Sequence, residues 1–494
     1  MKKILFALAV IVGFNAMAQN EFIAYPATGK GVSSTFVTDY HCLGINPANL
    51  GWQAHDNKSV TLGTSEFGVS VYSESLSKQD LRDNIAGAVR NKTLDSLSAE
   101  EKLAAAEGFA SDFSFNYDYN AFGISYQNPK FGGIAFSMRT RASWNSSFSD
   151  DFSDLLFRGK TASYFDSLVY VDGTDTTMIL NSGSISTDSA GNVVSGVASV
   201  PLRLSELLNG SYLKLSLNRE FHVGYGRRLL NIDSVFTLYV GVGAKYIQGI
   251  AMMDLTADDE NGLQMYSAFS PGFDLNYGVA AANNPSALAE TGAQFFKRPV
   301  GEGYGFDIGA NATLFNKIHL AASITNVGSM TYTGNVYRIV DTLVVSYDQD
   351  GLDDMNIGEA PAEMLEEAGL LTIEGQAERT IKLPGQFRMG ASIELGKFIE
   401  VGGELVAPFN DVPGNVTEFA YGLGGDVKLF GGKVFLMAGL TGGGGYATQI
   451  PLGVNFVLGG GAYELGIASR DAVTFFVSNS PTISTAFGFA RVRF

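Results

Sequence analysis

Reactive side chains are sparse in this chain, and none falls into a reactive spacing. The four histidines, His41, His55, His222 and His319, lie far apart with no H-E-x-x-H pair, so each reads as a structural or internal polar residue rather than a metal ligand. Cys42 is the sole cysteine and has no partner for a disulfide; it reads as a small buried apolar side chain. No G-x-S-x-G elbow and no phosphate-cradling glycine loop occurs, and the glycine runs 442–445 and 459–461 fall at strand ends, where turns need them. No catalytic residue, cofactor or enzymatic activity is therefore expected. Residues 328–381 carry eleven Asp or Glu against Arg338 and Arg379, and Asp348, Asp350 and Asp353 are spaced somewhat like calcium ligands. The closing bidentate Glu is missing from its place. The stretch, like the smaller cluster at Asp258-Asp259-Glu260, reads as a solvated acidic loop.

What must position such scattered polar groups is set by composition. The 494 residues include 35 Phe, 21 Tyr and 59 Gly, are 46% hydrophobic and only 17% charged, which suits strands with one face in lipid. The net charge of −17 argues against nucleic acid as a partner. Residues 1–18 read as a secretory signal: Lys2 and Lys3, an apolar core from Ile4 to Phe14, and a small-x-small site at Ala16-Met17-Ala18. No Cys follows that site, so no lipid anchor is expected. No later stretch reaches the roughly 18 apolar residues of a spanning helix, which leaves a soluble exported protein or a barrel.

Period-two alternation decides between them. At 303–315, Tyr304, Phe306, Ile308, Ala310, Ala312 and Leu314 face one way and Gly305, Asp307, Gly309, Asn311 and Thr313 the other. Fourteen such runs lie near 59–73, 112–126, 131–144, 211–228, 235–250, 303–315, 317–327, 382–395, 398–407, 418–430, 433–442, 450–458, 461–477 and 482–494. Short turns (128–130, 230–234, 316, 396–397, 431–432, 459–460) alternate with longer connections (74–111, 145–210, 251–302, 328–381, 408–417, 443–449, 478–481). That order is expected of a transmembrane antiparallel β-barrel in a Gram-negative outer membrane, with turns in the periplasm and loops outside. The connection 76–108 reads as helical, with Leu81, Ile85, Ala88 and Val89 at helical spacing and a capping box at Ser98-Ala-Glu-Glu101.

Parity slips at Gly63–Glu66, which predicts a bulge or an additional turn there, and again at Asn120-Ala121, a second place for a strand kink. Arg139, Arg141, Lys245, Asp307, Arg388, Glu394, Glu400 and Glu404 fall on the inward parity, where they either line a solute path or form an internal ion-pair network. Ahead of the first strand, residues 19–58 form a turn-rich segment whose Leu43, Ile45, Leu50 and Trp52 are too apolar for water. Pro47 restricts Asn46, and Gly44 and Gly51 bracket the turn. The segment is expected to fold into the lumen as a hatch, leaving 59–494 as the barrel.

Asn46-Pro47-Ala48 in this position, the strand count and the terminal Phe494 together resemble the long-chain fatty-acid transporter (FadL-like) family. The phrases Gly303-Tyr-Gly-Phe-Asp-Ile-Gly309 and Ser323-Ile-Thr-Asn326-Val-Gly328 resemble its Bacteroidetes branch, which includes the PorV component of type IX secretion. The terminal aromatic also resembles the signal read by barrel-assembly machinery. The resemblance implies a fourteen-stranded barrel closed by a hatch that includes Leu50 and Trp52, passing hydrophobic solutes through a lateral opening at a strand kink, with Gly63, Asn120 and Ala121 as candidate positions. Long acidic connections and a charged lumen favour a second expectation, a non-transporting scaffold that holds protein partners through loops 145–210 and 328–381. Outer-membrane lipid is a partner in either case.

Overall fold

The computed structural model describes residues 24–52, 58–73, 99–182, 192–258, 262–273, 275, 277–289, 297–351, 372–416, 418–444, 446–477 and 482–494. Fourteen strands close on themselves: β1 (Val60–Ser73), β2 (Phe113–Asn128), β3 (Gly132–Ser147), β4 (Tyr212–Ile232), β5 (Phe236–Asp258), β6 (Gly301–Leu314), β7 (Ile318–Tyr332), β8 (Gln386–Leu395), β9 (Ile399–Pro408), β10 (Ala420–Leu429), β11 (Val434–Gly443), β12 (Leu452–Leu458), β13 (Tyr463–Ser469) and β14 (Thr482–Arg493). Each pairs antiparallel with its sequence neighbours, and β14 returns to β1, with Leu62 opposite Val492 and Val71 opposite Ile483. Closure removes every sheet edge within the barrel, which is what a bilayer demands.

The alternation seen in the sequence becomes two surfaces. Phe122, Ile124, Tyr304, Phe306, Ile308, Val401 and Leu423 are exposed on the outside. Asp307, Asn311, Ser323 and Glu404, on the opposite parity, are buried inside. An apolar exterior around a polar interior is the pattern of an outer-membrane barrel, and no helix among the described residues is long and apolar enough to cross a membrane. The chain is thus a transmembrane barrel of the Gram-negative outer membrane. Its short turns are tight: the four residues 459–462 join β12 to β13, and Gly459, Gly460 and Gly461 all take positive φ (58°, 64° and 89°), which glycine adopts without strain.

The strands differ from the sequence reading mainly outside the bilayer. β4 and β5 run 21 and 23 residues, about twice the span a membrane needs, and are extended by the strand Gly262–Phe269. Helix α1 (Ala99–Phe109) and helix α2 (Asp150–Arg158) pack on the outer face of this extension, burying Trp144, Phe148, Phe152, Phe157, Leu213, Met253, Leu255 and Met265. The long connections were expected to contain short helices, and they do at α1 and α2. They also build a separate four-stranded sheet, which the sequence reading did not anticipate, from Leu343–Tyr347, Val193–Arg203, Ser167–Asp172 and Asp175–Leu180. The run expected at 382–395 is broken at Leu383-Pro384-Gly385, because Pro384 offers no N–H to the ladder. The run expected at 461–477 stops at Ser469 and gives way to a 3₁₀ turn at Ala472–Phe475. The first helix expected at 81–89, and Asp259, Glu260 and Asp353, lie outside the described residues.

Candidate functional site: the filled lumen

Residues 24–52 lie inside the barrel. They form a short helix at Tyr25–Thr28 and 3₁₀ turns at Asp39–Cys42 and Pro47–Gly51. Asn46 is extended (φ −151°), as the following proline requires, and its side chain accepts from Ala48 N, capping the turn that Pro47 begins. Val37, Tyr40, Cys42, Leu43, Ile45 and Leu50 pack on one another and on Ala135 of β3. This apolar kernel explains why the segment leaves water.

Its rim is polar and meets every strand. Asn46 donates to Ala310 O, Asn311 donates to Asn49 Oδ1 (2.9 Å), and Ser323 donates to Ile45 O (2.6 Å). Gln127 donates to Leu50 O and Trp52 O, and Arg139 to Leu43 O. Elsewhere the backbones come so close that only glycine fits: a Cβ on Gly309 would stand 2.0 Å from Asn46 Oδ1, and one on Gly422 would stand 1.8 Å from Gly31 O. Gly123 faces the Tyr40 ring, Gly241 the Pro47 carbonyl, and Gly488 the Tyr25 ring in the same way. Side chains there would have no room, so the barrel wall and the segment are shaped to one another.

Four groups of buried charge fasten the segment. Glu404 accepts from Ser33 and Ser34, through both backbone N–H groups and both hydroxyls, while Arg388 Nη1 lies 2.9 Å away. Lys30 pairs with Asp426 at 2.5 Å. Asp39 pairs with Arg491, which also holds Glu464 at 2.9 Å; Glu464 in turn pairs with Arg493. Glu66 accepts from Tyr40 (2.7 Å), His41 (2.9 Å) and Asn120 (2.8 Å). Glu66 reaches the lumen because the inward parity of β1 slips at Ser65 (φ 56°), although β1 keeps one register with each neighbour. Ala121, across from it, is an extra residue of β2 relative to β3, and the β13–β14 register shifts between Glu464 and Gly466. The irregularities form one band across four neighbouring strands, the bulged strands re-aiming their side chains as bulges do.

Of the inward residues read from sequence, Arg139, Lys245, Asp307, Arg388, Glu400 and Glu404 are buried, and Arg141 and Glu394 half-buried. Arg139 and Arg141 hold Asp118, with Arg141 also near Glu220. Lys245 holds Asp307 at 3.2 Å and also bonds Asn326. Asp350 pairs with Lys160 at 2.8 Å rather than with acidic neighbours. Sequence reasoning missed Lys30, Ser33, Ser34, Asp39, Glu66, Asp118, Glu464 and Arg491. Inward parity on strands β2, β13 and β14 was the available signal for the last three, and the parity slip at Gly63–Glu66 was the signal for Glu66; nothing marked the others.

Beyond the segment, toward the long loops, the lumen turns apolar. Ile247, Met252, Met330, Tyr332 and Leu383 pack with Ala268, Val300 and Val336. The Tyr332 ring lies across Gly249 and Gly301. Its hydroxyl, fully buried, has no hydrogen-bond partner among the described residues.

A fourteen-stranded barrel filled by its own N-terminal segment is therefore the class of protein this fold and site define. A family described as of unknown function (DUF5723) matches residues 191–428. No curated protein matches the chain. Among solved structures, the chain is similar to the toluene transporter TodX of Pseudomonas putida (10% identity, TM-score 0.39, 98% of each chain covered). It is similar also to the toluene transporter TbuX of Ralstonia pickettii (10%, 0.43, 96% of this chain and 99% of that one) and to a Pseudomonas aeruginosa FadL homologue (10%, 0.39, 97% of each). At such identities and scores the likeness says nothing about cargo.

Proposed function

We propose that the protein passes hydrophobic or amphipathic small solutes across the outer membrane, with residues 24–52 as the hatch that closes the path. The apolar cluster around Ile247, Met252, Met330 and Tyr332 carries this reading. It stands on the inward face of a lumen lined elsewhere largely by polar and charged side chains, and methionines adapt their packing to varied apolar shapes. Below it the hatch is held mostly by hydrogen bonds and ion pairs, which water can replace when the segment moves. The band of irregularities at Ser65, Ala121 and Glu464–Gly466 lacks regular ladder pairing and is where the wall would part to let an apolar solute leave sideways into the bilayer.

The test is uptake into proteoliposomes of a fluorescent long-chain amphiphile and of a small aromatic hydrocarbon. Protein-dependent uptake that falls when Met252→Lys and Met330→Lys place charge in the cluster supports the proposal. Wild-type protein with no uptake of either probe overturns it. The scaffold reading has one favouring observation: Asp175–Leu180 is an exposed edge strand outside the barrel, with Met178 and Leu180 in solvent. A stoichiometric partner lost on deleting Asp175–Leu180 would support that second reading.

A further inference from the structure

At the short-turn rim of the barrel, three strands bring together a histidine and two carboxylates that the hatch does not use. His319 is the second residue of β7, Glu394 the last but one of β8, and Glu400 the second of β9. One ligand atom of each lies within 4.8 Å of the others. Glu394 and Glu400 stand directly opposite one another across the β8–β9 pair. Like charges in that arrangement destabilise a sheet unless a cation sits between them. Lys428 compensates only loosely, its Nζ 3.4 Å from Glu400 and 4.0 Å from Glu394.

The histidine is oriented as a ligand would be. It is 6% exposed, its ring is stacked on Trp52 at 4.7 Å, and its Nδ1 lies 3.2 Å from Thr313 Oγ1. An Nδ1–H donated to that hydroxyl fixes the tautomer and leaves the Nε2 lone pair for a metal. Ser392 likewise donates to Glu400 Oε1 at 3.1 Å, holding the carboxylate from behind.

We infer that His319, Glu394 and Glu400 form a binding site for a zinc-like divalent cation at the periplasmic rim. One imidazole and two carboxylates with an open fourth position suit such an ion. Bonds of about 2.1 Å place tetrahedral donors about 3.4 Å apart. Glu394, the half-exposed member, closes the remaining distance by a change of rotamer, and Lys428 swings out to solvent. Trp52 ends the described part of the luminal segment, so the ion would clamp three strands where that segment leaves the wall.

Full-length protein in detergent, stripped with a chelator, is titrated with Zn²⁺ alone, followed by calorimetry and by tryptophan emission. One equivalent should bind and shift the emission of Trp52; the other tryptophan, Trp144, sits in the extracellular cluster. His319→Gln and Glu400→Gln should each weaken binding at least tenfold, and Lys428→Met should tighten it by removing the competing ammonium. No binding to the wild-type protein overturns the site, as does binding unchanged in both ligand variants. Should those two variants fail to fold, Lys428→Met still decides: unchanged affinity there overturns the site. An imidazolium bridging two carboxylates, with no metal, predicts the first of these negative results.

Discussion

Glu404 offers the sharpest perturbation of the luminal segment. Its carboxylate, 5% exposed, accepts from both N–H groups and both hydroxyls of Ser33 and Ser34 and faces Arg388, itself 1% exposed. Glu404→Ala leaves that guanidinium buried without its counter-charge, a penalty of about 3–5 kcal/mol. The two orphaned backbone donors add roughly 1–3 kcal/mol each. Both penalties fall on the seated state, because water relieves them once the segment lifts away. Together these come to at least about 5 kcal/mol, so the unseated fraction should rise by about 10³–10⁴-fold or more, at about 1.4 kcal/mol per decade. Cys42 supplies the reporter: it is the only thiol in the chain and is fully buried within the segment. A hydrophilic maleimide should label it in Glu404→Ala faster than in the wild type by that factor, when opening and closing are fast relative to labelling. Adding Arg388→Met should return the rate part of the way, since no unpaired charge is then left buried while the two Ser33 and Ser34 N–H groups still lack their acceptor. Labelling of Glu404→Ala at the wild-type rate, or equally fast labelling of the double variant, would refute the reasoning.

Other perturbations test separate contacts. Gly309→Val cannot coexist with Asn46 in place, so single-channel conductance in planar bilayers should increase; replacing Asn46 and Pro47 together should do the same, and unchanged conductance in both would mean the segment closes nothing. Tyr332→Phe removes a buried hydroxyl that has no hydrogen-bond partner among the described residues, so melting temperature should hold or rise while uptake of an amphipathic solute falls more than that of a pure hydrocarbon. Outside the membrane, hydrogen bonds from Ser199 hold the Asp166 carboxyl below its usual range. A depressed folded value contributes stability present above the unfolded value and lost as pH falls through the folded one. Amide exchange in Ser167–Leu180 should therefore quicken on acidification below the ordinary carboxylate range, and Ser199→Ala should quicken it already at neutral pH.

The barrel was legible because a wall between lipid and a polar lumen imposes a period of two on every strand, and Phe306, Ile308 and Asp307 report it residue by residue. Irregularities at Ser65 and Ala121 were legible for the same reason, as breaks in that parity. The sheet outside the barrel was not: Val193–Arg203 alternates only in part, with Val193-Val194 and Val197-Ala198 as adjacent apolar pairs, and it lies within a connection too long to read as one hairpin. Half of the luminal segment was also hidden. Leu43, Ile45 and Leu50 stand out as apolar residues beside Pro47. Lys30, Ser33, Ser34 and Asp39 look like any polar linker, and their meaning depends on Asp426, Glu404 and Arg491, some 370 to 450 residues away in sequence. No local pattern encodes such a pairing.

The clasp of Asp39 and Glu66 has a consequence for biogenesis. Tyr40 and His41 grip Glu66 on the first strand, while the neighbouring Asp39 grips Arg491 on the last. These are the two strands whose meeting shuts the cylinder. The seat for this part of the segment does not exist until that seam is made, although the segment is synthesised first. An assembly stalled with its seam open would leave residues 24–52 loose and Cys42 reachable, so docking of the N-terminal segment registers that the final strand has arrived in the correct register.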